Sequence, residues 1–168
     1  MEAVSDLPKA TILFNSRLET GTRAKVILEA AYPRALDLAR ITWFDHLVVH
    51  TEDIGGPESL HPPLPARTGE LLVRRRLVEE SLRLMRRLHL VEAVADEKGI
   101  MYRASDNTSA TVSLMRTKYA RDLRDRARWL VSELADLDDV DMTQRISASI
   151  GRWAAEFQGE AGSPGNLL

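Results

Sequence analysis

Apolar positions along the chain change their period several times, and each change marks an element. From Thr22 to Tyr32, Ala24, Ile27, Leu28 and Ala31 recur at helical spacing until Pro33 stops the run. A second helix is predicted over 35–50. Leu36, Ala39, Trp43 and Leu47 form one stripe, and Leu38, Ile41, Phe44 and Val48 fill adjacent angles, so this helix belongs inside. Residues 51–67, with Gly55-Gly56-Pro57 and Pro62-Pro63-Leu64-Pro65, support neither helix nor central strand. A structureless stretch of that length is uncommon within a domain and is usually functional or mobile. A third helix is predicted from Thr68 to Leu88, with Leu71, Val78, Leu82, Met85 and Leu88 inward and Arg76, Glu80, Arg83 and Arg87 outward. Val91–Ala95 and Ile100–Ala104 then read as strands joined through Asp96-Glu97-Lys98-Gly99, the glycine supplying a positive φ. The stripe Val112, Met115, Tyr119, Leu123, Ala127, Leu130, Leu134 predicts one long helix over 109–134. After the acidic break Asp136 to Asp141, Ile146, Ile150, Trp153 and Phe157 predict a last helix, with Asp141 and Gln144 placed as a capping box.

Three helices followed directly by a hairpin is the order of a winged helix, so the expected fold is mainly α, winged-helix-like, with a small β-hairpin wing and two additional C-terminal helices. One domain over 1–158 and a flexible tail over 159–168 fit a chain of 168 residues. Hydrophobic residues at 44% and charged residues at 29% exclude a disordered chain. The absence of cysteine excludes disulfides, thiolate zinc sites and a Cys nucleophile. No apolar run reaches membrane-spanning length and the opening residues lack an export signal, so a cytoplasmic protein is expected.

The formal net charge of -2 hides an uneven distribution. Arg67 to Arg87 and Arg116 to Arg128 are basic, whereas Glu133 to Glu160 is acidic. The third helix sits where a winged helix carries its recognition helix, which makes Arg74, Arg75, Arg76, Arg83 and Arg87 candidate DNA contacts, with Lys98 and Arg103 on the wing. The bland reading competes: Arg76, Glu80, Arg83 and Arg87 alternate in sign as on a solvated face.

Catalytic chemistry finds little footing. His46 and His50 are spaced i, i+4, with Asp45, Glu52, Asp53 and His61 nearby, but Leu47 stands where a zincin has its glutamate. Hydrogen-bonded structural histidines account for them, and no metal is expected. Asp96-Glu97-Lys98 formally fits the end of a nuclease motif yet lies on a hairpin tip, where turn chemistry explains it. Gly55-Gly56-Pro57 is no phosphate-binding loop. The expectation is a non-enzyme with no cofactor.

The run from His50 through Gly55-Gly56-Pro57 to His61-Pro62-Pro63, continuing from Arg67 to Arg75, resembles the middle component of ABC-three-component systems, which overlap the Lamassu-type bacterial defence systems. Phe14 to Glu19 and Tyr32 to Leu38 share in the likeness, which covers about residues 14–134. The resemblance implies a small scaffold or regulatory subunit joining an SMC/Rad50-like ABC ATPase to an effector, often a nuclease, in a complex that recognises invading DNA and protects against phage or plasmids. Asp53, Gly55, Gly56, Pro57, Ser59, Leu60, His61, Pro62 and Pro63 become the expected protein contacts, with double-stranded DNA as a further partner. The alternative is a free-standing winged-helix transcription regulator that dimerises through its last two helices.

Overall fold

Helix α1 (Arg17–Ala31) starts where Ser16 accepts a hydrogen bond from the Glu19 amide at 3.2 Å. The computed structural model describes residues 16–63 and 68–150. The observed start precedes the one read from the apolar stripe, because the first turns carry polar residues and Gly21 and only the cap marks them. That glycine admits α3: a Cβ there would lie 2.6 Å from the Met85 methyl carbon. Ala24, Val26, Ile27 and Leu28 are all fully buried, so α1 forms the axis of the domain.

The single helix expected over 35–50 is divided. Leu36–Asp37 form strand β1, and α2 (Leu38–Leu47) begins only after the Asp37 carboxylate accepts from the Arg40 amide at 2.7 Å. A capping aspartate with extended backbone and a helix interior are mutually exclusive, and the cap wins here. A short 3-10 helix, Thr51–Ile54, follows. Helix α3 (Thr68–Arg87) buries Val78, Leu82 and Met85 as expected. Leu88 is half exposed against expectation, because the helix has ended and His89 turns the chain at φ 58. Leu71's side chain lies outside the described residues.

Strands β2 (Val91–Asp96) and β3 (Gly99–Ala104) pair antiparallel around a two-residue turn, with Gly99 at φ 119. β1 adds to the far side of β3, Leu36 opposite Tyr102, giving the order β1-β3-β2. The result is a mainly helical domain with a small three-stranded antiparallel sheet and a β-hairpin wing, in the order helix–strand–helix–helix–hairpin.

The long helix expected over 109–134 is broken into α4 (Thr108–Ser113) and α5 (Lys118–Leu134). Thr108 and Ser105 tie α4 to the carbonyls of Leu90 and His89, while Thr117 caps α5 by accepting from the Ala120 amide at 3.1 Å. Both pieces therefore place their apolar side inward, Val112 from one and Leu123, Ala127, Leu130 and Leu134 from the other, without being collinear. Helix α6 (Asp139–Ile150) is capped by Asp138, which accepts from the Asp141 amide at 2.8 Å, rather than by Asp141. Trp153, Phe157 and the tail expected over 159–168 lie outside the described residues. No helix among the described residues is long and apolar enough to cross a membrane.

Candidate functional site

Three helices meet at one carboxylate. Asp45 on α2 is fully buried, and Arg23 of α1 grips it with Nε at 2.7 Å and Nη2 at 3.2 Å. Arg74 of α3 donates to its second oxygen at 2.5 Å. Burial alone would raise the Asp45 pKa, but the two guanidinium charges and their hydrogen bonds outweigh it and hold the carboxyl below its usual range. Arg23 is likewise opposed by burial and raised overall by Asp45, and its Nη2 also donates to Thr20 at 3.1 Å.

Next to this cluster runs a row of rings. His46 Nε2 lies 3.2 Å from Asp53 Oδ2, and the His46 and His50 rings stack with centroids 4.5 Å apart. His50 meets His61 edge-on at 6.1 Å, and His61 Nε2 is 2.8 Å from the Tyr119 hydroxyl on α5. Burial, then His46, lowers His50 to about 3. Burial, then Arg23 and Arg74, lowers His61 to about 4. Both rings are therefore neutral near pH 7, and burial also raises the Tyr119 phenol. The i, i+4 histidines do come together with His61, yet among the described residues no group of three or more His, Asp or Glu is arranged to hold a metal ion.

Over residues 51–63 the Gly/Pro stretch is an ordered turn structure; its residues 64–67 lie outside the described residues. Thr51 donates to the Pro57 carbonyl at 2.6 Å. Glu52 and Ser59 bond reciprocally, the Glu52 amide to Ser59 Oγ at 3.1 Å and the Ser59 amide to Glu52 Oε2 at 3.0 Å. The Leu60 and His61 amides both reach the Val49 carbonyl, at 3.0 and 3.1 Å. Two later helices clamp it from outside. Arg126 of α5 donates to the Glu58 carbonyl at 2.9 Å, and Arg145 of α6 donates to the Ile54 carbonyl at 3.4 Å. Gly56 lies under the Trp129 indole, where a Cβ would be 2.3 Å from the ring. Gly55 takes φ 76 to end the 3-10 helix.

Of the expected protein contacts, Gly55, Pro62 and Pro63 are exposed, and so is the neighbouring Glu58, which was not among those expected. Asp53, Gly56, Pro57, Ser59, Leu60 and His61 are partly buried, and most of them take part in holding the loop. Of the expected DNA contacts, Arg74 is 7% exposed on Asp45 and is withdrawn from the surface, because the buried carboxylate needs its charge. Arg76, Arg83 and Arg87 are exposed and Arg75 is half-buried. Arg83 pairs with Glu79 at 3.2 Å and Arg103 with Glu92 at 2.9 Å. Lys98 lies at the wing turn, beside a cavity of about 240 Å³ that Arg34, Arg40, Asp136 and Asp139 also line. Arg23, Arg126, Trp129 and Arg145 were not marked as site residues from sequence, and Tyr119 was placed only on the apolar stripe of the long helix, whereas it is 41% exposed. Their partners are far along the chain, and only Asp45, a lone carboxylate in the apolar run Trp43 to Val48, signalled that buried counter-charges must exist.

Fold and site together define a winged, mainly helical domain whose interior polar groups fix a surface loop in place. The chain belongs to the family described as ABC-three component (ABC-3C) system Middle Component 2, whose model matches residues 13–156. No curated protein and no solved structure matches the chain.

Proposed function

We propose that this chain is a non-catalytic scaffold or regulatory subunit that links an SMC/Rad50-like ABC ATPase to an effector, often a nuclease, in a cytoplasmic antiphage or anti-plasmid complex of Lamassu type. The observation that carries the reading is membership of a Middle Component family over most of the chain. Geometry supports a place for the contact. The loop over 51–63 is held by Thr51, Glu52, Ser59, Arg126 and Trp129, so its outward residues Gly55, Glu58, Pro62 and Pro63 form a surface ordered before any partner arrives. A preformed surface loses less conformational freedom on docking than a flexible one. The buried Arg23, Asp45 and Arg74 bond to one another, an arrangement suited to holding shape.

Co-expression of the tagged full chain with the products of its neighbouring reading frames tests this. A large ATPase should copurify in stoichiometric amount, and Glu58→Arg combined with Pro63→Asp should reduce that yield severalfold without moving the melting temperature of the free chain. A chain that purifies alone as a dimer bound to one specific DNA sequence would instead be a free-standing regulator.

A further inference from the structure

Two shallow depressions adjoin the C-terminal half of α3. One, of about 240 Å³, is lined by Arg17, Glu80, Arg83, Leu84 and Arg87. The other, of about 470 Å³, is lined by Arg83, Arg86, Arg87, Val91, Glu92 and Ala93. They share Arg83 and Arg87, so they form one open trough from the start of α1, across α3, to the edge strand β2.

The carboxylates along it are already engaged. Glu80 holds Arg17 at 3.1 Å, Glu79 holds Arg83 at 3.2 Å, and Glu92 holds Arg103 at 2.9 Å. Arg86 and Arg87 are exposed and have no carboxylate partner among the described residues, and the same holds for Arg76 earlier on the helix. At a rise of about 1.5 Å per residue, Arg76 to Arg87 spans roughly 16 Å. A surplus of guanidinium groups therefore runs along one exposed helix face.

What such a trough would hold follows from what it lacks. A protein partner needs an apolar or aromatic anchor in a pocket, and here Leu84 is partly buried, Val91 is buried and Ala93 offers a single methyl. Base reading would rest on arginine to guanine alone. Ser81, the only hydroxyl on α3 over 73–87, is buried and donates to the Leu77 carbonyl at 2.6 Å, and that stretch has no Asn or Gln. Rows of exposed arginine match phosphodiester oxygens, which accept paired N–H bonds from each guanidinium.

We propose that this trough, through Arg83, Arg86 and Arg87, and the helix face that continues from it to Arg76 bind the phosphate backbone of duplex DNA without regard to sequence. This surface is separate from the loop over 51–63; of the DNA contacts expected from sequence it keeps Arg76, Arg83 and Arg87, adds Arg86, and leaves out the buried Arg74 together with Arg75, Lys98 and Arg103.

Fluorescence anisotropy of a labelled 25-base-pair duplex with the purified full chain, over 50 to 200 mM salt, tests the proposal. Four phosphate contacts give a log–log salt slope of about -3 to -4, equivalent to roughly 100-fold weaker binding across that range. Arg86→Ala with Arg87→Ala should reduce the slope by about two, whereas Arg121→Ala on α5 should leave it unchanged. Two duplexes of unrelated sequence should bind within a few-fold of each other. No binding at 50 mM salt, an unchanged slope in the double variant, or a strong preference for one sequence would overturn the proposal. So would displacement of the duplex by polyglutamate as efficiently as by unlabelled DNA, which would point to an acidic protein segment. Failure on any of these leaves the copurification of the ATPase as a separate question.

Discussion

Replacing Asp45 with Asn keeps the side-chain volume and removes the charge, leaving Arg23 and Arg74 facing each other across a neutral amide at the junction of α1, α2 and α3. In the native protein the carboxylate is fully buried and accepts at 2.7, 3.2 and 2.5 Å from the two arginines. Removing one member of a buried ion cluster costs about 3 to 5 kcal/mol, because the remaining charges stay desolvated without compensation. For a domain of this size that is a large share of a total stability of about 5 to 15 kcal/mol. It corresponds to a melting temperature lower by roughly 6 to 20 °C. Urea unfolding followed by far-UV circular dichroism, with wild type and variant side by side, measures it. A companion variant with Arg23→Met, Asp45→Leu and Arg74→Met should recover most of the loss, since apolar replacement of a whole buried cluster is often neutral or better. A loss below about 1 kcal/mol for Asp45→Asn would refute the idea that this carboxylate organises the three helices.

Three other outcomes are expected. Gly56→Ala forces the Trp129 ring to move from a Cβ that would lie 2.3 Å away, and should cost about 1 to 3 kcal/mol, with Trp129→Leu relieving part of it in a double-mutant cycle. Lowering the pH should destabilise the protein through His50. Its folded pKa of about 3 lies below the unfolded 6.5, so the unfolded state takes up the proton first. That contribution is complete above pH 6.5 and falls by about 2 kcal/mol by pH 5, and His50→Gln should flatten the stability–pH curve by this amount. Thr117→Ala should cost about 0.5 to 2 kcal/mol in thermal unfolding, because the α5 cap is lost.

The parts of the fold legible in sequence are those set by local pattern. Gly99 marked the hairpin turn, Val78, Leu82 and Met85 marked the inner face of α3, and Leu123 to Leu134 marked α5. The misread boundaries are those where a short polar side chain decides against periodicity. Ser16, Asp37 and Thr117 each cap a helix, and a stripe that continues in register past Thr117 gives no sign of the bend between α4 and α5. Strand β1 has two residues and exists only because β3 lies beside it. In the site, the Gly/Pro composition located the loop but suggested mobility. The residues that immobilise it, Arg126, Trp129 and Arg145, sit on helices that look ordinarily solvated in sequence. The basic run over 74–76 looked uniform, yet helical geometry sends Arg74 into the core and Arg76 to the surface.

The central claim is that the loop over 51–63 is a prebuilt docking surface of a Middle Component subunit. Hydrogen exchange on that segment, in the free chain and in the copurified assembly, tests it most directly. The amides of Gly56, Leu60 and His61, bonded to the carbonyls of Thr51 and Val49, should exchange slowly in the free chain, and the exposed Gly55 and Glu58 positions should slow further in the assembly. Unprotected exchange at Gly56, Leu60 and His61 in the free chain, or no change at Gly55 and Glu58 on assembly, would contradict it.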